Sequence, residues 1–488
     1  MNNLLDRSAG TSFVKMFFRT MRYATVWIYI AILAWSPFPL GGAVSWAASL
    51  QQILIAGCGV LWGLASLGSG NETWTNIRFV RIPLVLAIAV LAWAWIQTLP
   101  IVPASWAHPL WAMTSDILGR PTTPVISLNP WHTKAQILSL LSTVLACWLA
   151  FAMAQQAKIA AILLNGIITI GALYALYGFA LILLGTGQEE IFYAVPRQRG
   201  LIAGPFMLHN SYATYCGLAA VAAITKLFGV GSQSVVSTRG PRQLGLTLIQ
   251  FATGRGAFLL VAALLCLAGV VASASRAGFA ATLCSLLVLT LSALLVRHRN
   301  GGHRWMGTAA VVATLPLLFL VLFSGETLND RISLLLDSGT TDTVRLTLWA
   351  AAKHMITDAP WLGLGLGTFQ DAYPLYATQV LPFVMDKAHC DYLEFAAGIG
   401  IPAAVAWWLA IAWLVMLCLR GVRNRHRDRL YPLIAIAATT LVAIHSTVDF
   451  SLQLPAVAIL YATLLGLGAA QAFPRTPYAN STGIRVNV

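Results

Sequence analysis

Hydrophobic positions along this chain come in long, nearly unbroken runs, with polar positions in short clusters between them. The runs lie near residues 23–40, 43–65, 82–101, 135–154, 159–184, 204–227, 257–274, 278–296, 306–323, 392–419, 430–444 and 454–472. Each is close to the roughly 20 residues a helix needs to cross a hydrocarbon layer about 30 Å thick. The pattern predicts an all-α polytopic membrane protein of about twelve transmembrane helices.

One connection breaks the rhythm. Residues 324–390 are too long for a simple turn and too polar to span. Within them "TVRLTLWAAAKHMI" places Val344, Leu348, Ala351 and Met355 on one helical face, with Arg345 and Lys353 elsewhere. An amphipathic helix is expected there, ended by "APWLGLGLGTF". Gly363, Gly365 and Gly367 suit a tight turn able to clasp a substrate. No Gly-Lys-Ser/Thr follows them and no strand precedes them, which argues against a nucleotide loop. The expected organisation is transmembrane helices 1–9 over residues 1–323, an external helical segment over 324–390, helices 10–12 over 391–472 and a cytoplasmic tail over 473–488.

Composition agrees with the pattern. The 488 residues are 58% hydrophobic and only 9% charged, with a mean hydropathy of +0.76, more apolar surface than a water-soluble fold can hide. A net charge of +14 suggests a nucleic-acid partner until its placement is considered. Lys15, Arg19 and Arg22 precede the first run, Arg78 and Arg81 follow the second, and Lys158 follows the fourth. Lys226, Arg239, Arg242 and Arg255 follow the sixth, Arg297, Arg299 and Arg304 the eighth, and five arginines between 420 and 429 the tenth. Every second connection is therefore basic, which is the positive-inside pattern with both ends in the cytoplasm. Arginines on short loops without interleaved aromatics do not make a nucleic-acid surface. Residues 102–133, 185–203, 324–390 and 445–453, with the turn at Ser275 and Arg276, then face outward. The first run reads as an uncleaved signal anchor. The seven cysteines sit in or at the edge of runs without a pairing or ligand pattern and read as packing residues.

The outward face carries the candidate chemistry. "KAHCDYLEF" gathers Lys387, His389, Asp391 and Glu394 where the external segment meets the tenth run. A histidine there is either an interfacial side chain or a base that titrates near neutrality and takes a proton from a hydroxyl; the charged neighbours favour the base. On a continuous helix Glu394 would lie about one and a half turns below it, inside the bundle, where ionisable residues are functional. In "HSTVDFSLQLP", His445 and Asp449 are four apart and would share a helical face, as an orienting or substrate-contacting pair or as a polar plug. Arg197, Arg199, Arg276 and Arg345 are outward arginines whose planar guanidinium groups suit phosphate. Arg276 is the most telling, because the positive-inside bias disfavours an arginine there. Catalysis is expected from His389. Substrate contacts are expected from the four arginines and from Asp391, Tyr392, Glu394, His445 and Asp449.

In order, "GPFMLHNSYATY", "SASRAG", "VRLTLWAAAKHMITDAPWLGLGLGTF", "AHCDYLEFAAGIGIP" and "HSTVDFSLQLP" resemble the O-antigen ligase and Wzy-type polymerase superfamily, over roughly residues 200–470. The resemblance implies a GT-C-type glycosyltransferase of the bacterial inner membrane. Its donor would be an undecaprenyl-diphosphate-linked glycan at the periplasmic face, and its acceptor a second lipid-linked glycan or lipid A-core. Cys390 stands where that family commonly has Asn, and "SRAG" replaces Ser-Arg-Gly-Gly, leaving Arg276 in place. Such a transfer needs a base for the attacking hydroxyl and fixed positive charge for the departing diphosphate. With arginines supplying that charge, neither a metal nor a cofactor is expected. A polymerase is the leading expectation, a ligase the alternative. A lipid-linked glycan flippase would instead predict mid-membrane ionisable residues and internal repeats, and neither is evident.

Overall fold

The structure, a computed structural model, describes residues 2–67, 76–184, 201–236, 254–298, 341–379, 384–425 and 429–473. The apolar runs within them are helices: α1 (Asn2–Trp35), α2 (Ser45–Leu67), α3 (Ile77–Ile96), α5 (Pro130–Met153), α6 (Ala157–Leu183), α7 (His209–Val236), α8 (Arg255–Ala272), α9 (Arg276–His298), α13 (Ile401–Asn424), α14 (Leu430–His445) and α15 (Pro455–Ala470). Among the more polar stretches lie α4 (Leu110–Leu118), α10 (Thr341–Asp358), α11 (Phe369–Tyr376) and α12 (Asp391–Ile399). Six of the described helices are long and apolar enough to cross a membrane, and four shorter apolar helices pack among them. The chain is a helical membrane protein. The expected run at 306–323 and the external segment up to residue 340 lie outside the described residues.

α15 is the axis of the bundle, with residues Ala456 to Ala470 all buried. Small residues let it approach its neighbours at backbone distance. A Cβ on Gly466 would come within 2.2 Å of the Cys147 carbonyl on α5, and one on Gly468 within 2.3 Å of Ala435 on α14. Large apolar side chains such as Ile53, Val60, Val85 and Leu409 point outward instead, as lipid contact requires.

At one end of the bundle, called the site end below, α10, α11 and α12 form a small layer with its own core. Leu348, Ala351 and Met355 of α10 pack with Leu364, Phe369, Ala388 and Ala397, and Val344 lies at the edge, as the amphipathic pattern predicts. Asp371 of α11 accepts hydrogen bonds from Asn129 Nδ2 (3.0 Å) and His132 Nδ1 (2.7 Å), fastening the layer to the start of α5.

Two expectations are corrected here. The run 392–419 is not one helix: it breaks at Gly400, where φ is +78°, into α12 and α13. The glycines of 363–367 are not an open clasp but the reason for that break. Leu364 N donates to Ala397 O (2.9 Å), Gly365 N to Gly398 O (2.8 Å) and Ile401 N to Pro360 O (2.8 Å), so two chain segments run side by side with no room for side chains. A Cβ on Gly363 would sit 2.3 Å from Gly398 O, and one on Gly400 2.4 Å from Trp361 O. Gln97, at the end of α3, closes the joint by donating to Leu362 O (2.7 Å) and Gly398 O (2.9 Å).

Candidate active site

His389 sits in the turn before α12, not on the helix, with φ at +52°. Histidine is one of the few residues with a side chain that visits this left-handed region with any frequency, but the position still carries strain. The turn is held from several sides. Trp349 of α10 donates to the His389 carbonyl (3.4 Å), and Ala388 N donates to Glu394 Oε2 (2.8 Å). Asp391 N donates to Ser446 O at the end of α14 (3.0 Å). Phe450 meets the imidazole edge-on, with centroids 4.8 Å apart and planes at 79°.

The imidazole faces Asp449, with Nδ1 3.4 Å from Oδ1. That is longer than an ordinary hydrogen bond, and neither atom has a hydrogen-bond partner among the described residues. Asp449 is itself fully buried. Burial pushes its carboxyl up, but the His389 hydrogen-bonding contact, the charges of His445 and His389 and the Phe450 backbone outweigh that and hold it at about 2. An ionised carboxylate beside Nδ1 draws the ring proton to that nitrogen and leaves the Nε2 lone pair free to accept another.

His445 reaches the same carboxylate by a different route from the one its spacing suggests. α14 ends at His445, and a turn, Val448 N to His445 O (3.1 Å), carries the chain back so that Asp449 Oδ2 lies 3.7 Å from His445 Nδ1. Ser451 donates to Asp449 Oδ2 (3.0 Å), while Thr214 and Ser451 hydroxyls lie 2.9 and 3.2 Å from His445 Nδ1. Sequence reasoning missed His209, the first residue of α7. It hydrogen-bonds the Ser273 backbone, lies within electrostatic reach of Asp449 and Arg345, and has a buried Nδ1 with no partner among the described residues. The signal was present in "MLHNSY", a polar pair at the entrance to an apolar run.

Arg345 acts electrostatically on both His209 and His445, so α10 delivers it to this cluster. Arg276 opens α9 beyond the turn Ser273–Ser275, the turn that His209 touches, and is half-buried. Arg197 and Arg199 lie outside the described residues. Asp391, Tyr392 and Glu394 engage their polar atoms within the protein. Asp391 accepts from Ser446 Oγ (2.7 Å) and Gln453 Nε2 (3.0 Å), Tyr392 donates to Ala443 O (2.9 Å), and Glu394 meets Lys387 Nζ at 3.5 Å. Burial raises the Asp391 carboxyl to about 7, against the lowering effect of its two donors. Among the described residues no group of three or more His, Cys, Asp or Glu could hold a metal ion. Cys390 is buried beside the site.

A half-buried histidine facing a buried aspartate, in a cluster within electrostatic reach of Arg345, is an arrangement for proton removal next to an anion. Residues 261–408 match the Wzy_C family model, described as O-antigen ligase. The resemblance of this chain to the O-antigen ligase and Wzy-type superfamily rests on that match as well as on its motifs. No curated protein matches the chain. The matched stretch contains Arg276, Arg345 and His389, but it stops short of His445 and Asp449 and begins after His209. The carboxylate that faces His389 therefore comes from outside it. The match covers residues 261–408 of the 488, and over that stretch this helical membrane protein is similar to O-antigen ligases.

Proposed function

We propose that this protein is a metal-independent GT-C-type glycosyltransferase with about twelve spans in the bacterial inner membrane, acting at the periplasmic face as a Wzy-type polymerase. It joins one undecaprenyl-diphosphate-linked glycan to another. The acceptor hydroxyl attacks the anomeric carbon of the donor, its proton passes to His389 Nε2, the bond from that carbon to the phosphate oxygen breaks, and undecaprenyl diphosphate leaves. Asp449 holds the imidazole in the receptive tautomer and stabilises the imidazolium. Arg276 and Arg345, with Arg197 and Arg199, offset the negative charge that grows on the diphosphate. The observation that carries this reading is the His389–Asp449 contact, at 3.4 Å, in a cluster that Arg345 reaches.

The description of the matched family favours a second reading, a ligase that transfers the glycan to lipid A-core. Glycan analysis of a deletion strain separates the two. Single capped repeat units on the surface mark a lost polymerase, and long chains stranded on undecaprenyl diphosphate mark a lost ligase. A strain that makes normal surface glycan sinks both.

A further inference from the structure

The two oxygens of Asp449 have different surroundings. Among the described residues Oδ1 has no hydrogen-bond partner, and His389 Nδ1 stands 3.4 Å from it. Oδ2 accepts from Ser451 Oγ (3.0 Å), the head of a chain of hydroxyls. Thr214 of α7 donates to Ser451 Oγ (3.2 Å), and its own oxygen lies 2.9 Å from His445 Nδ1 at the end of α14. Ser451, Thr214 and His445 are no more than 2% exposed.

The protons on this chain run one way. An ionised carboxylate only accepts, so the Ser451 proton lies on the Asp449 bond and Ser451 Oγ is left to accept from Thr214. His445 completes the order by donating from Nδ1, because a lone pair there would face the Asp449 carboxylate at 3.7 Å. Each hydroxyl then both accepts and donates, an arrangement in which neighbouring bonds strengthen one another. Oδ2 is tied in this way to α7, to the end of α14 and to the turn Ser451–Gln453 before α15. Oδ1 keeps room to respond. The 3.4 Å gap to His389 exceeds the roughly 2.7–2.9 Å of a bond between a cationic donor and a carboxylate, so the contact tightens only once the imidazole takes up a proton. A contact that strengthens as the proton moves raises turnover without tightening the binding of substrate.

We infer that Ser451, Thr214 and His445 are positioning residues that act on the reaction through Asp449, anchoring Oδ2 so that Oδ1 is held for His389. This rests on the reading of His389 as the base and deepens it. It places His445 behind the carboxylate, and it applies to a polymerase and a ligase alike.

The test measures kcat and donor KM for transfer from a lipid-linked glycan by the full-length protein in lipid nanodiscs. Ser451→Ala is expected to lower kcat about tenfold, as for a lost hydrogen bond to a charged group, and Thr214→Val about threefold, as for a neutral one, both with donor KM unchanged. Thr214→Ser, which keeps the hydroxyl, should retain the wild-type rate. His445→Asn, whose amide reaches the Nδ1 position, should retain more activity than His445→Gln, whose amide reaches Nε2; the reverse order removes His445 from the chain. In an Asp449→Asn background, where there is no carboxylate to hold, neither Ser451→Ala nor Thr214→Val should cost more than about twofold further. Full kcat in both of these variants overturns the assignment. So do losses that multiply undiminished in the Asp449→Asn background, or a raised donor KM at unchanged kcat, which marks a substrate contact. Should Ser451→Ala not fold, Thr214→Val and Thr214→Ser carry the same comparison. Failure of the base reading shows separately, as full activity of His389→Ala and Asp449→Asn themselves.

Discussion

His389 is expected to act through Nε2 and to be held through Nδ1, and the two halves of that statement have different mutational signatures. His389→Ala should leave expression, thermal stability and donor binding close to wild type while cutting turnover by about 10²–10⁴-fold. Asp449→Asn keeps the shape but removes the charge that sets the tautomer, so a turnover loss of about 10²-fold or more is expected with donor binding intact; equal loss of donor affinity would place Asp449 elsewhere in the reaction. The two buried carboxyls also predict opposite pH behaviour. Asp449, held at about 2, stabilises the fold fully above the ordinary value of 3.8, and that contribution is lost as pH falls from about 4 towards 2. Asp391, raised to about 7, is least costly when protonated, so its effect on stability is most favourable below 3.8 and worsens as pH rises to about 7. Unfolding temperatures measured between pH 4 and 8 should show that decline in wild type and a flatter profile in Asp391→Asn. Arg276→Ala and Arg345→Ala should each weaken donor binding, with Lys restoring only part because it lacks the planar two-point contact.

At the scale of elements, the joint between 360–367 and 397–401 fixes the end of α12, the helix that follows the His389 turn. Gly363→Ala and Gly400→Ala each drive a methyl into a backbone carbonyl at a positive φ, and each should destabilise the protein by about 2 kcal/mol or more, read as lower unfolding temperature and lower yield. Leu348→Ala empties part of the α10 core and should cost about 2–5 kcal/mol, with loss of activity that follows loss of folded protein. Six spans were legible among the described residues, because lipid demands a run of apolar residues and little else. The face of α10 was legible for the same kind of reason, a local period. The break at Gly400 was not, because hydropathy continues through it and the cause lies about 35 residues upstream in the glycine run. His445 and Asp449 were paired correctly on the wrong grounds: their spacing suggested a shared helix, whereas a turn after α14 brings them together.

For the whole molecule, the alternation of basic connections predicts which positions a membrane-impermeant thiol reagent reaches. In a cysteine-free background, new cysteines near 190 and 340 should label from outside, and ones near 240 and 425 should not; outside labelling at 425 would overturn the orientation. Activity of purified protein should survive EDTA if, as proposed, arginines carry the neutralising charge, and a loss reversed by Mg²⁺ or Mn²⁺ would return His445 and Asp449 to consideration as ligands. His209 escaped notice because its partners, Ser273, Arg345 and Asp449, are distant in sequence and only the packing of α7 against α8 and α14 assembles them. The same long-range assembly means that the matched stretch is no portable cassette. A graft of residues 261–408 into a foreign helical bundle would carry His389, Arg276 and Arg345 but leave Asp449, Arg197 and Arg199 behind, so on the proposed mechanism the transplanted histidine would have neither a fixed tautomer nor a counter-charge, and the chimera should inherit the motif without the reaction.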